Sequence, residues 1–331
     1  GDFGVVQQGP LRGVRVGAVL GDQHAAAFGQ RCFAEGDVKA TFGTGAFVLM
    51  NTGTTPVFAD GLLTTPLWQI KGQEPVYALE GAVAVAGAAL QWLRDNLDFA
   101  ETTQALVDGA AADNGGVFFV PAFNGLFAPY WDASARGAVL GLTTYATKAH
   151  LVRAALEATA FQLDDLLRAF SGGDNDNRAR TLVNVDGGMA QNDDLLQFVA
   201  DVLDTTVRRP PNLETTACGA AFAAGLALGL YASLDDLVQR TTSHTSSSIT
   251  FRPSIDHAHR RAIRRTWARA VARSRGWLTS SSSSENDRAK TPTSSSRSGG
   301  GIVVAAATFV LAATPAVLLA AALLRRRRGS F

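Results

Sequence analysis

Short apolar runs, separated by glycine-containing and polar turns, dominate the first part of the chain. Residues 14–20 are apolar except for Arg15, and they predict a buried strand that leads to Asp22 at the end of a sheet. Other apolar runs predict strands at residues 38–42, 46–50, 62–67, 76–79, 117–123 and 182–185.

Apolar residues at helical spacing predict helices between and after these runs. The longest predicted helix covers residues 148–170, and the leucine and phenylalanine side chains along one side of it place it in the core. The other predicted helices cover residues 23–29, 80–95, 191–203, 214–230 and 257–277. The alternation of strands and helices indicates an α/β domain.

The turn Gly43-Thr44-Gly45 lies between two predicted strands and allows two interpretations. It can be an ordinary hairpin turn, for which glycine is typical. It can also hold a phosphate group, because glycine lets the backbone approach an anion closely and the Thr44 hydroxyl adds a donor. The residues alone leave both interpretations open.

Asp22 also allows two interpretations. Because it precedes the predicted helix 23–29, it can be the N-cap of that helix. Because it follows the predicted strand 14–20, it can equally belong to an active site, since active groups gather at the carboxyl ends of strands in α/β folds.

A second glycine turn, Asp186-Gly187-Gly188, connects a predicted strand to a predicted helix. A strand, a glycine turn and a helix N-terminus form a corner that favours anions and nucleotides. Asp186 itself is predicted to cap the turn. Elsewhere, Gly87 and Gln91 lie four residues apart and therefore on one face of a predicted helix. The residues alone can be explained by packing, because Gly87 permits a close helix contact and Gln91 can be solvated.

The composition adds limits on partners and compartment. The 331 residues are 47% hydrophobic, which is enough for a core, and the formal net charge is +1. This charge creates no global field, so no nucleic-acid partner is expected. Cys32 and Cys218 are too few for a disulfide framework or a cysteine-based zinc site, which favours a reducing, cytoplasmic environment.

The composition changes abruptly after residue 278, which closes the predicted domain 1–278. Residues 279–301 are rich in serine and predict a disordered linker. Residues 302–324 are uncharged and numerous enough to cross a bilayer, so they predict a C-terminal hydrophobic helix that anchors the chain to an organelle membrane. A basic tail, 325–331, follows. The alternative is that this end of the sequence is an artefact of gene prediction.

Several strings taken together resemble one known family. Asp22-Gln23, the Phe-Gly-Thr-Gly string 42–45 and the Met-Asn-Thr-Gly string 50–53 are similar to the start of the C-terminal domain of glycerol kinases, a branch of the FGGY carbohydrate kinases. The similarity covers most of the chain, from about residue 13 to residue 277. It implies a ribonuclease H-like (actin-like ATPase) domain in which helices flank a mixed sheet.

The resemblance also implies a reaction, the phosphorylation of glycerol by ATP with Mg²⁺ as cofactor. Asp22 would act as the base and could reach Mg²⁺, Gln23 would hydrogen-bond the polyol, and Phe47 would pack against its carbon chain. The residues implied in nucleotide binding are Thr44, as a donor to the terminal phosphate, and Gly87, Gln91, Gly188 and Asn192.

The sequence lacks the N-terminal domain of this family and does not begin with methionine. We therefore expect a C-terminal portion of a longer product, inactive alone, which binds ATP and glycerol and for which a homo-oligomer is an open option. Asp132 and Arg136 are expected to brace the loop 124–136 and not to bind sugar. Two alternatives remain, namely a catalytically silent, membrane-tethered nucleotide-binding scaffold and another FGGY kinase, such as one that acts on a pentulose.

Overall fold

The computed structural model describes residues 3–172, 182–241 and 247–278. The predicted linker 279–301, the predicted hydrophobic helix 302–324 and the basic tail lie outside the described residues. In the described part of the chain, no helix combines the length and the apolar character that crossing a membrane requires.

A mixed sheet of seven strands is the centre of the described structure. In spatial order its strands are β3 (Leu63–Trp68), β4 (Val76–Val83), β2 (Ala46–Gly53), β1 (Val38–Phe42), β7 (Val183–Asp186), β8 (Val207–Arg209) and β9 (Ile249–Phe251). β7 is parallel to β1 and β8, and the other neighbouring pairs are antiparallel. A separate two-stranded sheet contains β5 (Phe118–Val120) and β6 (Ala138–Leu140).

Helices flank this sheet on both faces, so the predicted α/β architecture is confirmed. On one face, α4 (Lys148–Phe170), α5 (Asp193–Leu203) and α8 (His257–Ser274) share a core with alternate residues of the strands. The opposite face carries α1 (Asp22–Gly29), α6 (Thr215–Ala227) and α7 (Leu234–Thr241). A smaller apolar cluster contains α2 (Gly87–Asp95), α3 (Thr103–Asp108) and the start of α4.

Alternation along β1 separates apolar from polar side chains. Val38, Ala40 and Phe42 are fully buried in the core that contains α4 and α5. Lys39 and Thr41 point to the opposite face, because successive side chains of a strand alternate. Lys39 is also fully buried. A buried ammonium group requires polar partners, and these partners come from α1 and β7.

The position of α1 depends on a close crossing with α6. A Cβ atom on Gly29 would overlap the Thr215 carbonyl, and a Cβ atom on Gly219 would overlap the Ala25 carbonyl. Glycine at both positions therefore lets the two helix backbones touch, which fixes α1 above the polar side of β1.

The predicted strand at residues 14–20 is wrong. This segment is extended, but it pairs with residues 3–6 in a local hairpin. Val14 and Val19 are 51% and 67% exposed. The run has the apolar composition of a buried strand, but its backbone groups pair locally, which keeps it outside the central sheet. Asp22 therefore follows a segment that lies outside the central sheet.

The predicted helix 80–95 begins only at Gly87, because residues 80–83 complete β4 and pair with β2. Gly81 contributes to this difference. A Cβ atom there would lie 2.7 Å from Leu166 Cδ2, so the absence of a side chain lets α4 pack directly on the strand. β6, β8, β9, α3 and α7 were not predicted, and all five are short.

A shielded carboxyl group links α4 to α8. The indole N–H of Trp267 donates a hydrogen bond of 2.8 Å to Asp165. Burial, reinforced by the neighbouring Asp164 carboxylate, raises the pKa of Asp165 to about 7. An unfolded aspartate ionises near pH 4. Between about pH 4 and pH 7 the folded chain therefore holds a proton that the unfolded chain has released.

Folding stability is expected to fall as the pH rises through this window, and Asp165→Asn is expected to remove most of the fall. The shift of about three pKa units corresponds to at most about 4 kcal/mol. Urea unfolding at about pH 5 and about pH 8, followed by tryptophan fluorescence, measures the difference. Asp60→Asn, at an exposed position, is the matched control. An Asp165→Asn variant with the wild-type pH dependence would contradict the assignment.

Candidate functional site

A cavity of about 960 Å³ lies beside the turn between β1 and β2. This volume is typical of small-molecule sites, which measure about 300–1,000 Å³. The start of α2, the helix α3 and the junction between β7 and α5 form the other walls. The residues predicted to bind the nucleotide all line it, namely Thr44, Gly87, Gln91, Gly188 and Asn192. The structure thus brings together residues from separate segments of the sequence.

The turn between β1 and β2 lies against the start of α2. The carbonyls of Gly43 and Thr44 accept hydrogen bonds of 2.9–3.0 Å from three backbone N–H groups, those of Ala86, Gly87 and Ala88. These bonds hold the turn against α2, and the exposed Thr44 hydroxyl is its side-chain donor. The turn is therefore a hairpin turn, as one interpretation predicted, and it also lines the cavity, while its role in holding a phosphate group stays a prediction.

The two glycines of the β7–α5 junction have different roles. Gly187 has a φ angle of +89°, and a Cβ atom there would overlap the Phe42 carbonyl of β1, so the turn requires glycine. A Cβ atom on Gly188 would meet no protein atom within 4 Å, and Gly188 lines the cavity. Gly187 is therefore structural, whereas the open side of Gly188 leaves space for a ligand.

Asn192 is the N-cap of α5. Its Oδ1 accepts a hydrogen bond of 2.7 Å from the Leu195 N–H, so its Nδ2 is the end that can donate to a ligand. Arg209 of β8 donates to the Asp193 carboxylate and to the Ala190 carbonyl, each at 2.7 Å. These contacts hold the 3₁₀ turn 188–191 and the start of α5 in place beside the cavity.

Seven polar residues of the cavity wall were not predicted, and three of them, Gln191, Asp193 and Asp194, lie at the junction between β7 and α5. α3 contributes Thr103, Gln104 and Asp108, and α4 contributes Arg153. Arg153 is held by an ion pair of 2.7 Å with Glu157. The helix α3 has only six residues, which is too short for a clear helical period, and Arg153 lies within a helix whose pattern indicated only core packing.

Asp22 is the first residue of α1, and Gly21 precedes it as the N-cap. The interpretation of Asp22 as the N-cap is therefore wrong. Its Oδ1 accepts a hydrogen bond of 2.8 Å from the Gln23 N–H, and the side chain is exposed. The positive end of the helix dipole stabilises a carboxylate in this position. Asp22 thus presents an accessible carboxylate to a ligand.

The side chain of Gln23 contacts a lysine that the sequence pattern did not single out. The Lys39 ammonium donates a hydrogen bond to Gln23 Oε1. Burial lowers the pKa of Lys39 to about 8, and nearby carboxylates, among them Asp186 and Asp22, oppose this shift. The signal in the sequence was a lysine in the interior of the apolar string Val-Lys-Ala-Thr-Phe at residues 38–42.

Asp186 does not cap the turn, and that prediction is wrong. The carboxylate lies on the same face of the sheet as Lys39 and is buried. Its Oδ2 accepts hydrogen bonds from Gln30 Nε2 at 3.0 Å and from the Thr215 hydroxyl. These partners lie just after α1 and at the start of α6, so Asp186 ties both helices to β7.

Phe47 lies opposite Thr41 in the β1–β2 pair and is 40% exposed. Strand alternation places it on the same face as Lys39. Asp22, Gln23 and Phe47 are not among the residues that line the 960 Å³ cavity. The predicted site therefore has a nucleotide part around the cavity and a substrate part on the α1 side of the sheet. Within the described ranges, no group of three or more His, Cys, Asp or Glu residues could hold a metal ion.

Asp132 and Arg136 brace the loop 124–136, as expected. Asp132 accepts hydrogen bonds from the Ser134 hydroxyl and from the backbone N–H groups of Ser134 and Ala135, and it forms an ion pair of 3.1 Å with Arg275. The Ser134 hydroxyl and Arg275 lower the pKa of Asp132 to about 2. Arg136 donates to two carbonyls of its own loop.

Comparison with solved structures identifies the class of this fold. The crystal structure of Plasmodium falciparum glycerol kinase with ADP matches with a TM-score of 0.74 and 33% identity, covering 83% of this chain and 55% of that chain. A xylulose kinase from Lactobacillus acidophilus matches with a TM-score of 0.64 at 23% identity, covering 76% of this chain and 51% of that chain, which shows the fold alone. The described domain therefore has the fold of sugar kinases.

The sequence comparison identifies the family. Residues 38–228 match the FGGY family of carbohydrate kinases, C-terminal domain. The chain therefore belongs to the FGGY family of carbohydrate kinases.

Among its relatives, a glycerol kinase of Corynebacterium kroppenstedtii is 48% identical over 288 residues, which cover 85% of this chain and 54% of that protein. A glycerol kinase of Acidiphilium cryptum is 48% identical over 279 residues, which cover 83% of this chain and 55% of that protein. The chain spans about half the length of the curated relatives it matches.

Proposed function

We propose that the chain is the C-terminal half of an enzyme that transfers a phosphoryl group from ATP to glycerol and forms glycerol 3-phosphate. The observation that carries the proposal is one cavity lined by all five predicted nucleotide residues, in a chain 48% identical to glycerol kinases. The order β4-β2-β1-β7-β8, with two antiparallel steps followed by two parallel steps, supports a ribonuclease H-like domain of the actin-like ATPase type.

ATP would occupy the 960 Å³ cavity. The open side of Gly188 would leave room for the nucleotide, and Asn192 Nδ2 would donate a hydrogen bond to it. Gly87 and Gln91 would form the facing wall on α2. The Thr44 hydroxyl, in the turn where β1 ends, would donate to the terminal phosphate. Phosphoryl transfer depends mainly on such positioning, since the protein forms no bond to the phosphorus in this reaction class.

Glycerol would bind on the α1 side of the sheet. Asp22 would accept the proton of the attacking hydroxyl group, a role that suits an exposed carboxylate at a helix N-terminus. The Gln23 amide would hydrogen-bond a hydroxyl group of the polyol. The exposed ring of Phe47 would cover its carbon chain. A short polyol requires polar partners for its hydroxyl groups and an apolar surface for its carbon chain.

Mg²⁺ would supply positive charge at the phosphate groups when it is bound. Protein sites for Mg²⁺ commonly use one or two carboxylates together with substrate phosphates. Asp22, a single exposed carboxylate outside any acidic cluster of the described residues, fits such a site.

The isolated chain is expected to bind ATP weakly and to phosphorylate no glycerol. The nucleotide cavity is largely formed by this chain, whereas the match covers only 54% of the first relative, and the other part of such a protein would supply the facing side of the cleft. Calorimetric titration with ATP and a coupled assay for ADP measure the two properties. Clear turnover by the isolated chain would show that a preceding half is unnecessary.

The decisive test uses the complete enzyme, by which we mean a product in which this chain follows a half like that of its relatives. It is expected to phosphorylate glycerol with a kcat/KM at least about 100-fold above that for xylulose. ATP binding without turnover of any polyol would instead favour the silent scaffold. A preference for xylulose would assign the chain to another branch of the family.

A further inference from the structure

The orientation of the Gln23 amide is set by its partner. A glutamine side chain carries one acceptor oxygen and one donor NH₂ group, and either end can face a given neighbour. A lysine ammonium only donates. In the structure the Lys39 ammonium contacts Gln23 Oε1. The NH₂ group of Gln23 is therefore the end that remains for another partner.

Lys39 is suited to hold this orientation because it cannot move into solvent. The residue is fully buried on β1, the central strand next to β7. Burial lowers the pKa of Lys39 to about 8, and the negative charges of Asp186, Asp22 and Glu80 oppose this shift and favour the charged form of the ammonium. The lysine is thus charged at neutral pH and can act only as a donor.

A chain of contacts connects this lysine to the proposed base. Lys39 Nζ donates to Gln23 Oε1, and the backbone N–H of Gln23 donates to Asp22 Oδ1 at 2.8 Å. Both contacts lie at the first turn of α1, whose position is fixed by its close crossing with α6. The residue that Lys39 contacts is therefore next in the chain to the carboxylate that would accept the proton.

We propose that Lys39 is a positioning residue that fixes the amide of Gln23 so that Nε2 donates a hydrogen bond to a hydroxyl oxygen of glycerol. The inference rests on the proposed function of Gln23 as a glycerol contact. A hydroxyl group of bound glycerol would then accept a hydrogen bond from Gln23 Nε2, while its own proton faces Asp22. The site would select a group that accepts and donates at adjacent positions, which is the chemistry of a polyol hydroxyl.

A purely structural role for Lys39 is the competing explanation, since its ammonium also lies near buried Asp186. The two explanations differ in which kinetic constant changes. Positioning through Gln23 predicts that Lys39→Met raises the KM for glycerol about 10-fold, the effect of about one lost hydrogen bond to a substrate. The KM for ATP should stay within about twofold. A disturbed fold would affect both substrates.

A double-mutant cycle in the complete enzyme provides the test. Gln23→Ala is expected to raise the KM for glycerol by about as much as Lys39→Met, and the double variant should be no worse than either single variant. Effects that multiply to about 100-fold in the double variant would overturn the proposal. Lys71→Met, at an exposed position, is the matched control and should leave both KM values unchanged.

A second variant covers the case in which Lys39→Met does not fold. Gln23→Glu keeps an oxygen for Lys39 and nearly the same shape, but it removes the NH₂ donor. We expect a rise in the KM for glycerol similar to that of Gln23→Ala. A wild-type KM in Gln23→Glu would show that the donor is not used, and the proposal would fall.

The orientation itself can be read without activity. A neutron crystal structure of the chain distinguishes the Gln23 oxygen from its ND₂ group, and we expect the oxygen to face Lys39. If the complete enzyme does not phosphorylate glycerol, the proposed function fails, and the neutron structure still decides the orientation of the amide. If the enzyme is active but ND₂ faces Lys39, only the positioning role fails.

Discussion

Asp22→Asn in the complete enzyme is expected to lower kcat for glycerol phosphorylation by about 10²–10⁴-fold, the usual loss when a general base is removed. Asparagine has nearly the same shape and keeps an oxygen for the Gln23 N–H, so α1 should start at the same place. The KM for ATP should change much less than kcat, because Asp22 does not line the nucleotide cavity. Steady-state kinetics with varied glycerol and varied ATP separate these quantities.

The matched control is Asp235→Asn, which removes an exposed carboxylate from the first turn of another helix, α7. It should leave kcat unchanged and should lose the same small helix-dipole contribution to stability as Asp22→Asn. If the wild-type enzyme phosphorylates glycerol and the Asp22→Asn variant keeps most of the wild-type kcat, another group accepts the proton. The role of Asp22 would then be limited to its place at the start of α1.

The elements that the sequence predicted well have local boundaries. The predicted helix 148–170 agrees with α4. Thr147 and His150 form a capping box at its start, so the first turn is defined by residues next to each other in the chain. The predicted strand 38–42 agrees with β1 for a similar reason, since the glycine turn that follows it ends the strand.

The elements that were predicted wrongly depend on which other segment of the chain pairs with them. Residues 14–20 have the composition of a buried strand, but composition does not say which backbone will pair with them. Residues 80–83 join β4 because β2 pairs with them and because Gly81 lets Leu166 approach. Neither fact is visible in a window of neighbouring residues.

The residues of the candidate site also divide into those that were predicted and those that were missed. Resemblance to a family indicated the five nucleotide residues, among them Thr44 and Gly188, and all five line one cavity. Lys39 and Asp186 were missed or misassigned because their roles come from the packing of α1 and α6 on the sheet. A charged residue inside an apolar strand is a useful signal for such a network, since an unpaired buried charge is costly.

Gly188→Val is expected to weaken ATP binding by the isolated chain at least about 10-fold while the fold is preserved, a loss of about 1.4 kcal/mol or more. A Cβ atom at this position meets no protein atom within 4 Å, and the added carbons extend from a residue that lines the cavity. The substitution therefore fills space that the nucleotide would need, and its Cβ atom displaces no part of the protein. Calorimetric titration with ATP measures the loss, and thermal unfolding verifies the fold.

The neighbouring glycine gives the contrasting result. Gly187→Ala forces a side chain onto a residue with φ of +89° and into the Phe42 carbonyl, so stability should fall by at least about 2 kcal/mol. Ala268→Val adds carbons at an exposed position of α8 and should change neither property appreciably. If Gly188→Val bound ATP as the wild type does, the nucleotide would lie elsewhere. If instead it unfolded like Gly187→Ala, the space beside Gly188 would belong to the protein core and not to a ligand.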